Sequence, residues 1–325
     1  MRFAIVGAGA VGAFVAARLA AAGEDVAVLA RGAQLGAIRD RGVRVRSQAG
    51  ELEAHPFAAA EPAEIGPVDV VFLALKAHSL PDAAARLTPL LGPDTPVVTG
   101  QNGIPWWYFQ SHGGPLEGMH LESIDPGGIL SRTIPLNRVI GCVIYFSTLI
   151  SEPGVVVHVE GNRLAIGEPD GKRSGRCEAI SHSLQKAGLR CPIRARIRHD
   201  IWVKLIGNLA FNPISALARA TMEQMIQDPG ARALTRAVME EGEAVARALG
   251  VELEIGIDRR MEGAARVGPH KTSMLQDLEA GRRLELESIV GAVVELADRL
   301  AIPIPHTKTL YACAKLLART QVTPP

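Results

Sequence analysis

Apolar positions change character along the chain. RFAIVGA (2–8) is a short apolar run closed by glycine, the mark of a buried strand. Val11 to Ala22 follows as a helix, ended by Gly23. DVAVL (25–29) predicts a second strand, and Val43 to Val45 with residues 52–57 predicts a third strand or a hairpin. VDVVFLAL (68–75) is a strongly apolar strand. Pro81 to Leu91 reads as a helix, with Pro81 tolerated in its first turn. Pro96 to Thr99 is a further strand that runs into GQNG. Repetition of strand, helix and strand predicts an α/β class and a parallel sheet with helices on both faces.

Residues 103–136 break this rhythm. They hold IPWWYF, several His and Gly, and prolines at 105, 115, 126 and 135, which predicts a long excursion with little regular structure, placed over the site. Strand patterns return at Val139 to Thr148, Val155 to Val159 and Arg163 to Ile166; EPDGKRSG (168–175) is a turn and Glu178 to Ala187 a helix. After about Pro192 β-branched runs disappear. Asp200 to Leu217, Gly230 to Leu249, Asp258 to Arg266 and Arg282 to Leu300 all read as helices. We therefore expect two domains, 1–192 with the parallel sheet and 193–325 all-helical.

Composition removes several function classes. With Lys+Arg 35 against Asp+Glu 34, no broad basic surface draws the chain onto nucleic acid. Hydrophobic residues at 47% and charged residues at 21% describe an ordinary globular protein, not a disordered one. The uncharged run Phe3 to Ala17 is short for a bilayer and carries regularly spaced glycines that a signal sequence does not need. No later stretch reaches about 18 uncharged apolar residues, so no membrane span is expected. Cys142, Cys177, Cys191 and Cys313 lack Cys-x-x-Cys spacing, so reduced thiols in a cytoplasmic protein are expected. His112 and His120 have no neighbouring acid or Cys that completes a metal site, and no metal is expected.

The chemistry begins at Gly7, Ala8, Gly9, Ala10, Val11 and Gly12, which fit G-x-G-x-x-G. The pattern is weak alone, but here it follows a strand and opens a helix. Gly7 permits the tight turn, Gly9 lets the backbone approach a pyrophosphate, and Gly12 allows close packing of helix on strand. The free N–H groups of the helix start favour phosphate. This is a Rossmann-type, dinucleotide-binding domain. Where NAD-specific folds place an acid, this chain has Ala30 followed by Arg31; a guanidinium there favours the 2′-phosphate of NADP(H). Lys76 and Asn102 follow strands directly, at the edge where open α/β sheets bind ligands.

In the helical half, HDIWVKLIGNLAFNPISAL sets Lys204, Asn208 and Asn212 four apart, along one helix face. A cation and two carboxamides in an apolar helix are costly to bury without partners. They suit a carboxylate or hydroxyl ligand, with the lysine as proton donor; a satisfied polar seam between helices is the structural alternative. Pro213 should kink the helix or begin a new turn after Asn212. Ser273, with Gln276 three residues on, fits a capping box. Glu285 does not stand out by spacing.

These residues resemble the ketopantoate reductase family over nearly the whole chain. GAGAVG, LKA, QNG, WVKLIGNLAFNPISAL and SMLQDLEAGRRLELE occur in the family's order. The resemblance implies NADPH-dependent reduction of 2-dehydropantoate to (R)-pantoate, on the route to pantothenate and coenzyme A, in a cleft between a Rossmann domain and a helical one. It implies that Lys204 protonates the ketone oxygen and that Glu285 contacts the cofactor and supports the lysine. It assigns Asn208, Asn212 and Ser273 to substrate, Asn102 to both nicotinamide and substrate, and Arg31 and Lys76 to cofactor. His270 stands three residues before Ser273, where well-studied members carry a substrate-binding asparagine, and Met222 replaces another asparagine; His270 is a candidate carboxylate ligand. The aromatic excursion resembles a subgroup, so another branched or aromatic 2-oxo acid is an alternative substrate on the same fold. A non-catalytic NADP(H)-binding sensor is the alternative of a different class. The implied partner is a small 2-oxo acid, without nucleic acid or membrane, and a homodimer is compatible with the helical domain.

Overall fold

The structure, a computed structural model, describes residues 1–321. Its strands are β1 (Arg2–Val6), β2 (Asp25–Leu29), β3 (Val43–Ser47), β4 (Gly50–Ala54), β5 (Phe57–Ala59), β6 (Val70–Leu73), β7 (Val97–Thr99), β8 (Val139–Ile144), β9 (Ser147–Glu152), β10 (Val155–Glu160) and β11 (Leu164–Gly167). Contacts divide the chain into two units. The first is Met1–Gln101, Trp106–His120 and Gly127–Ile197; the second is Asn102–Pro105, Leu121–Pro126 and the chain from Arg198 onward. The last four positions of the expected helical domain, 322–325, lie outside the described residues.

The first unit holds a seven-stranded sheet ordered β11-β8-β7-β6-β1-β2-β5. β1 is its heart: Val6 pairs with Leu29 on one side and Leu73 on the other, both in parallel. Only β11 runs antiparallel, against β8. The ends of β1, β2 and β6 therefore open on one edge.

A second sheet, ordered β4-β3-β10-β9, is absent from the sequence reading. The predicted hairpin forms, as β3 and β4. It belongs to this second sheet, however, and the parallel neighbour of β2 is the short β5. Likewise Val139 to Thr148 is not one strand. β8 is buried throughout and stays in the main sheet, whereas half-exposed β9 pairs with β10 in the second.

The Ala10–Ala21 helix packs on β1 and β2 and also on β3, β4, β9 and β10. Covered from both sides, it buries Gly12, Ala13, Phe14, Val15, Ala16, Ala17 and Leu19. This is why its sequence is apolar all round rather than striped.

The stretch expected as one helix, Pro81 to Leu91, is broken into Ala77–Ser79, Leu80–Ala84 and Thr88–Leu90. The α-helical part stops at Ala84, where Arg86 N–H donates to Ala83 O and Leu87 N–H to Ala84 O, and Pro89 lies inside the following 3₁₀ turn. In the excursion Trp106, Trp107, Tyr108 and Phe109 are buried, with Trp107 Nε1 donating to Thr99 Oγ1 at 3.0 Å. The Trp107 ring occupies the space that a side chain at Gly141 would need. The aromatic run is core of the first unit, not a cover.

The second unit is built of helices, the longest being Ile197–Ala218 and Pro229–Ala248. Ile197–Ala218 continues through Pro213 without the expected restart. Leu209, Phe211 and Ile214 are buried on either side, and their burial offsets a lost hydrogen bond that costs about 3 kcal/mol. By length and composition this helix could cross a membrane, but 67% of its most apolar window is buried inside the protein, as in a core helix.

Arg282 to Leu300 is not one helix either. Ser273–Glu279 ends in a Schellman motif, with Gly281 N–H donating to Leu278 O and Arg282 N–H to Asp277 O, and Gly281 at φ 63°. Residues 282–285 are non-helical, a π-turn spans Glu287–Gly291, and the α-helix resumes at Ala292–Arg299. Met222–Gln227 and Pro305–Gln321 are helices that the apolar pattern did not announce. The expected cap at Ser273 is displaced by one residue: Thr272 Oγ1 accepts from Leu275 N–H at 3.2 Å, and Gln276 Nε2 donates to Lys271 O.

Candidate active site

In the first unit the glycine loop follows β1. Gly7 sits at φ 107°, and its N–H donates to Leu29 O at 3.1 Å, which ties the turn to the end of β2. That φ strains any residue with a side chain, and a Cβ on Gly7 would also crowd Leu75, 3.2 Å from its backbone nitrogen. A Cβ on Gly12 would overlap the Gly7 carbonyl, so the helix can approach the loop only with glycine at that position. Gly9 is the opposite case: among the described residues, its chain neighbours apart, no atom lies within 4 Å of where its Cβ would stand. Gly9 is the N-cap, and no side chain caps this end. Its backbone thus faces open space beside uncapped N–H groups, and these residues fit a pyrophosphate. Ala8, Ala10 and Val11 complete the loop and first turn.

Arg31 is exposed at the end of β2, as N-cap of Gly32–Arg41. Among the described residues its guanidinium has no hydrogen-bond or ion-pair partner, which suits a 2′-phosphate. Lys76, half-buried, follows β6 and precedes the Ala77–Ser79 turn. Gly7, Arg31 and Lys76 therefore share one sheet edge, after three adjacent strands. Gln101, not singled out from sequence, closes that edge: its Nε2 donates to Leu73 O at 2.9 Å and Leu75 O at 3.2 Å.

In the second unit three residues far apart in sequence meet. Lys204 Nζ donates to Asn102 Oδ1 at 2.7 Å, and Asn102 Nδ2 donates to Glu285 Oε2 at 3.3 Å. The amide is oriented by its partners: its oxygen takes the ammonium and its nitrogen serves the carboxylate. Asn102 thus stands between a cation and an anion, and couples them through two charge-assisted bonds. Glu285 lies in the non-helical 282–285 segment, held by the Schellman turn before it and the π-turn after it.

Asn208 and Asn212 continue the Lys204 line along Ile197–Ala218, as the spacing predicts. Asn208 is half-buried. Asn212 is 4% exposed, and its Nδ2 is buried without a hydrogen-bond partner. A buried donor left unpaired costs free energy unless a ligand or water satisfies it. Ser273 is exposed at the first position of its helix, and His270 is half-buried. The His270 backbone carbonyl accepts from Met222 N–H at 3.0 Å, so the two positions that depart from the family pattern are neighbours. Among the described residues, neither the Ser273 nor the His270 side chain hydrogen-bonds to Lys204, Asn102 or Glu285.

Comparison with known proteins bears on this geometry. A family model described as "Ketopantoate reductase PanE/ApbA" matches residues 3–171, and its C-terminal counterpart matches 196–318. The chain belongs to the ketopantoate reductase family. A family relative named 2-dehydropantoate 2-reductase, from Mesorhizobium japonicum, is 49% identical over 98% of each chain. A solved ketopantoate-reductase-type protein from Ralstonia solanacearum MolK2 superposes with a TM-score of 0.94 at 39% identity, covering 98% of each chain. A D-mandelate dehydrogenase solved with NADH and anilino(oxo)acetate shares the fold, with a TM-score of 0.86 at 19% identity over the full length of both chains. Membership in this family makes the protein an oxidoreductase with a nicotinamide cofactor.

Proposed function

We propose that the protein reduces 2-dehydropantoate to (R)-pantoate with NADPH, using Lys204 as proton donor. The observation that carries this reading is the Lys204–Asn102–Glu285 chain, in a protein 49% identical to a 2-dehydropantoate 2-reductase. The glycine loop would hold the pyrophosphate of a nicotinamide cofactor, whose chemistry when bound would be to supply a hydride to the ketone carbon. As negative charge grows on the ketone oxygen, the Lys204 ammonium stabilises it and gives up one proton, so the carbonyl becomes a secondary alcohol. The amine then regains its proton from solvent. Asn102 holds the Lys204 Nζ in place, and Glu285 balances its charge. The unpaired Asn212 amide, with Asn208, offers donors to the substrate's hydroxyl or carboxylate oxygens, and Ser273 and His270 serve the carboxylate. Arg31 selects NADPH over NADH through the 2′-phosphate, and Lys76 adds positive charge at the same edge. The buried state of Trp106 to Phe109 supports ketopantoate over aromatic 2-oxo acids, because these rings already fill the first unit's core. The reading places the enzyme in the cytoplasm, without nucleic-acid or membrane partners.

The test is cofactor oxidation by purified protein, with ketopantoate beside branched and aromatic 2-oxo acids and with NADH in parallel. We expect kcat/KM to be highest for ketopantoate with NADPH. Lys204→Ala should lower kcat by about 10³-fold, within the range of general acid catalysis, while NADPH still binds. Full turnover in that variant eliminates Lys204 as the acid; a stronger rate on another 2-oxo acid reassigns the substrate.

A further inference from the structure

The helix that follows Glu285 is wound one residue too wide. Across Glu287–Gly291 the chain forms a π-turn, and the Ala292 N–H donates to the Glu287 carbonyl, five residues back, instead of to Ser288, four back. A carbonyl is thereby released from the helical ladder. The Ser288 oxygen accepts instead from the Ile104 N–H at 2.9 Å.

Ile104 stands two residues after Asn102, and both Ile104 and Ser288 are buried. Gly103, between Asn102 and Ile104, adopts φ 88°, and a Cβ on it would overlap the Ser288 carbonyl oxygen. Only glycine lets the two backbones come this close. Were the helix regular, Ser288 O would return to Ala292 and leave the Ile104 N–H buried and unpaired, which is costly.

Side chains hold the wide turn in place. The Glu287 carboxylate folds over Gly291, where a Cβ would collide with it. Tyr311 OH donates to Glu287 Oε2 at 2.6 Å, and Lys315 Nζ reaches Tyr311 OH at 3.1 Å.

We propose that this π-turn is a positioning device for proton transfer. By lending the Ser288 carbonyl to the loop after Asn102, it fixes Asn102 between Lys204 and Glu285, and Gly103 and Gly291 are its positioning residues. The inference rests on the reading of Lys204 as proton donor and adds residues that touch neither substrate nor cofactor.

A double-mutant cycle tests it, with kcat and KM measured for Gly103→Ala and Gly291→Ala alone and combined with Asn102→Ala. A misplacement near 1 Å costs about 10²-fold in rate, so Gly103→Ala should lower kcat by about that factor with KM for NADPH little changed. The Asn102→Ala/Gly103→Ala double variant should be no slower than Asn102→Ala, because the device has nothing left to position. Additive losses overturn the proposal and leave Gly103 a merely structural residue. Gly291→Ala meets the far ends of the Glu287 and Tyr311 side chains rather than backbone, and so serves if Gly103→Ala does not fold. It should lower kcat by about tenfold, a fraction of the cost of full misplacement, and the loss should again vanish in the Asn102→Ala background. Unchanged kcat in Gly291→Ala overturns the proposal. Turnover retained by Lys204→Ala would sink the donor reading itself, whereas additive glycine variants beside a dead Lys204→Ala would sink only the positioning.

Discussion

The two units build their sites from different materials. In the first, the surface proposed for the cofactor is main chain: a glycine loop, an uncapped helix start and strand ends, with Arg31 and Lys76 as the few side chains proposed to join it. In the second, it is side chain: an ammonium, an amide and a carboxylate brought together from residues 204, 102 and 285. The first kind of site tolerates no added atoms where backbones touch. The second tolerates no loss of a partner, since each polar group depends on the next.

That contrast is breakable. Gly12→Ala puts a Cβ into the Gly7 carbonyl and 2.9 Å from the Ala74 Cβ. It should cost about 2 kcal/mol of stability, as overpacking does, and raise the NADPH Kd by about 100-fold, equivalent to about 2.7 kcal/mol. Gly9→Ala meets open space, so the melting temperature should hold while the NADPH Kd rises by about tenfold. Calorimetry beside cofactor titration separates the two, and equal effects on stability would show that Gly9 is packed and not presented.

Arg31→Ala probes the exception, a side chain in the main-chain site. A hydrogen bond to a charged group contributes about 1.5–3 kcal/mol, so the preference for NADPH over NADH should fall by about tenfold or more, with kcat on NADH unchanged. An undiminished preference would move 2′-phosphate recognition elsewhere.

The smallest effect lies in the helical unit, where a carboxylate does what backbone does in the other. Glu241 accepts from the His306 and Thr307 N–H groups and from the Thr307 hydroxyl, capping Pro305–Gln321. Burial alone pushes the Glu241 carboxyl up, but the hydrogen bonds from Thr307 and His306 outweigh it and hold the group below its ordinary value of 4.5. A carboxyl depressed in the folded state stabilises above its unfolded pKa, and that stability is lost as pH falls through the folded value. Glu241→Gln should therefore cost about 1 kcal/mol at neutral pH, the usual size of a cap. The gap between variant and wild-type melting temperatures should close in acid, and a gap constant with pH would refute the linkage.

The same contrast explains what could be read before any coordinates. The glycine loop is contiguous, so spacing and strand–loop–helix context were enough to place it. Lys204, Asn208 and Asn212 were legible because a helix repeats every few residues. Asn102 and Glu285 were not legible as partners of Lys204: nothing in local pattern joins positions about a hundred residues apart, and only the resemblance to the family named them. The bridging role of Asn102 came from the structure. Gly281 marks the stop of Ser273–Glu279, but no local signal sets the non-helical 282–285 or the π-turn apart from the helix that follows. The second sheet was hidden for another reason. Its strands pair across more than a hundred residues, β3 with β10, and a half-exposed strand looks the same whichever sheet it joins.

The Ala10–Ala21 helix has little wet surface, most of it at its two ends. An ordinary surface helix can accept almost any polar residue on its outer face, and families drift there freely. Here a change at any of the seven buried positions must be absorbed by one sheet or the other. The helix whose start is proposed to receive the phosphates is thus a bolt shared by two sheets: neither can come apart without releasing it, and amide hydrogen exchange from it should report the opening of the whole unit rather than of a local flap.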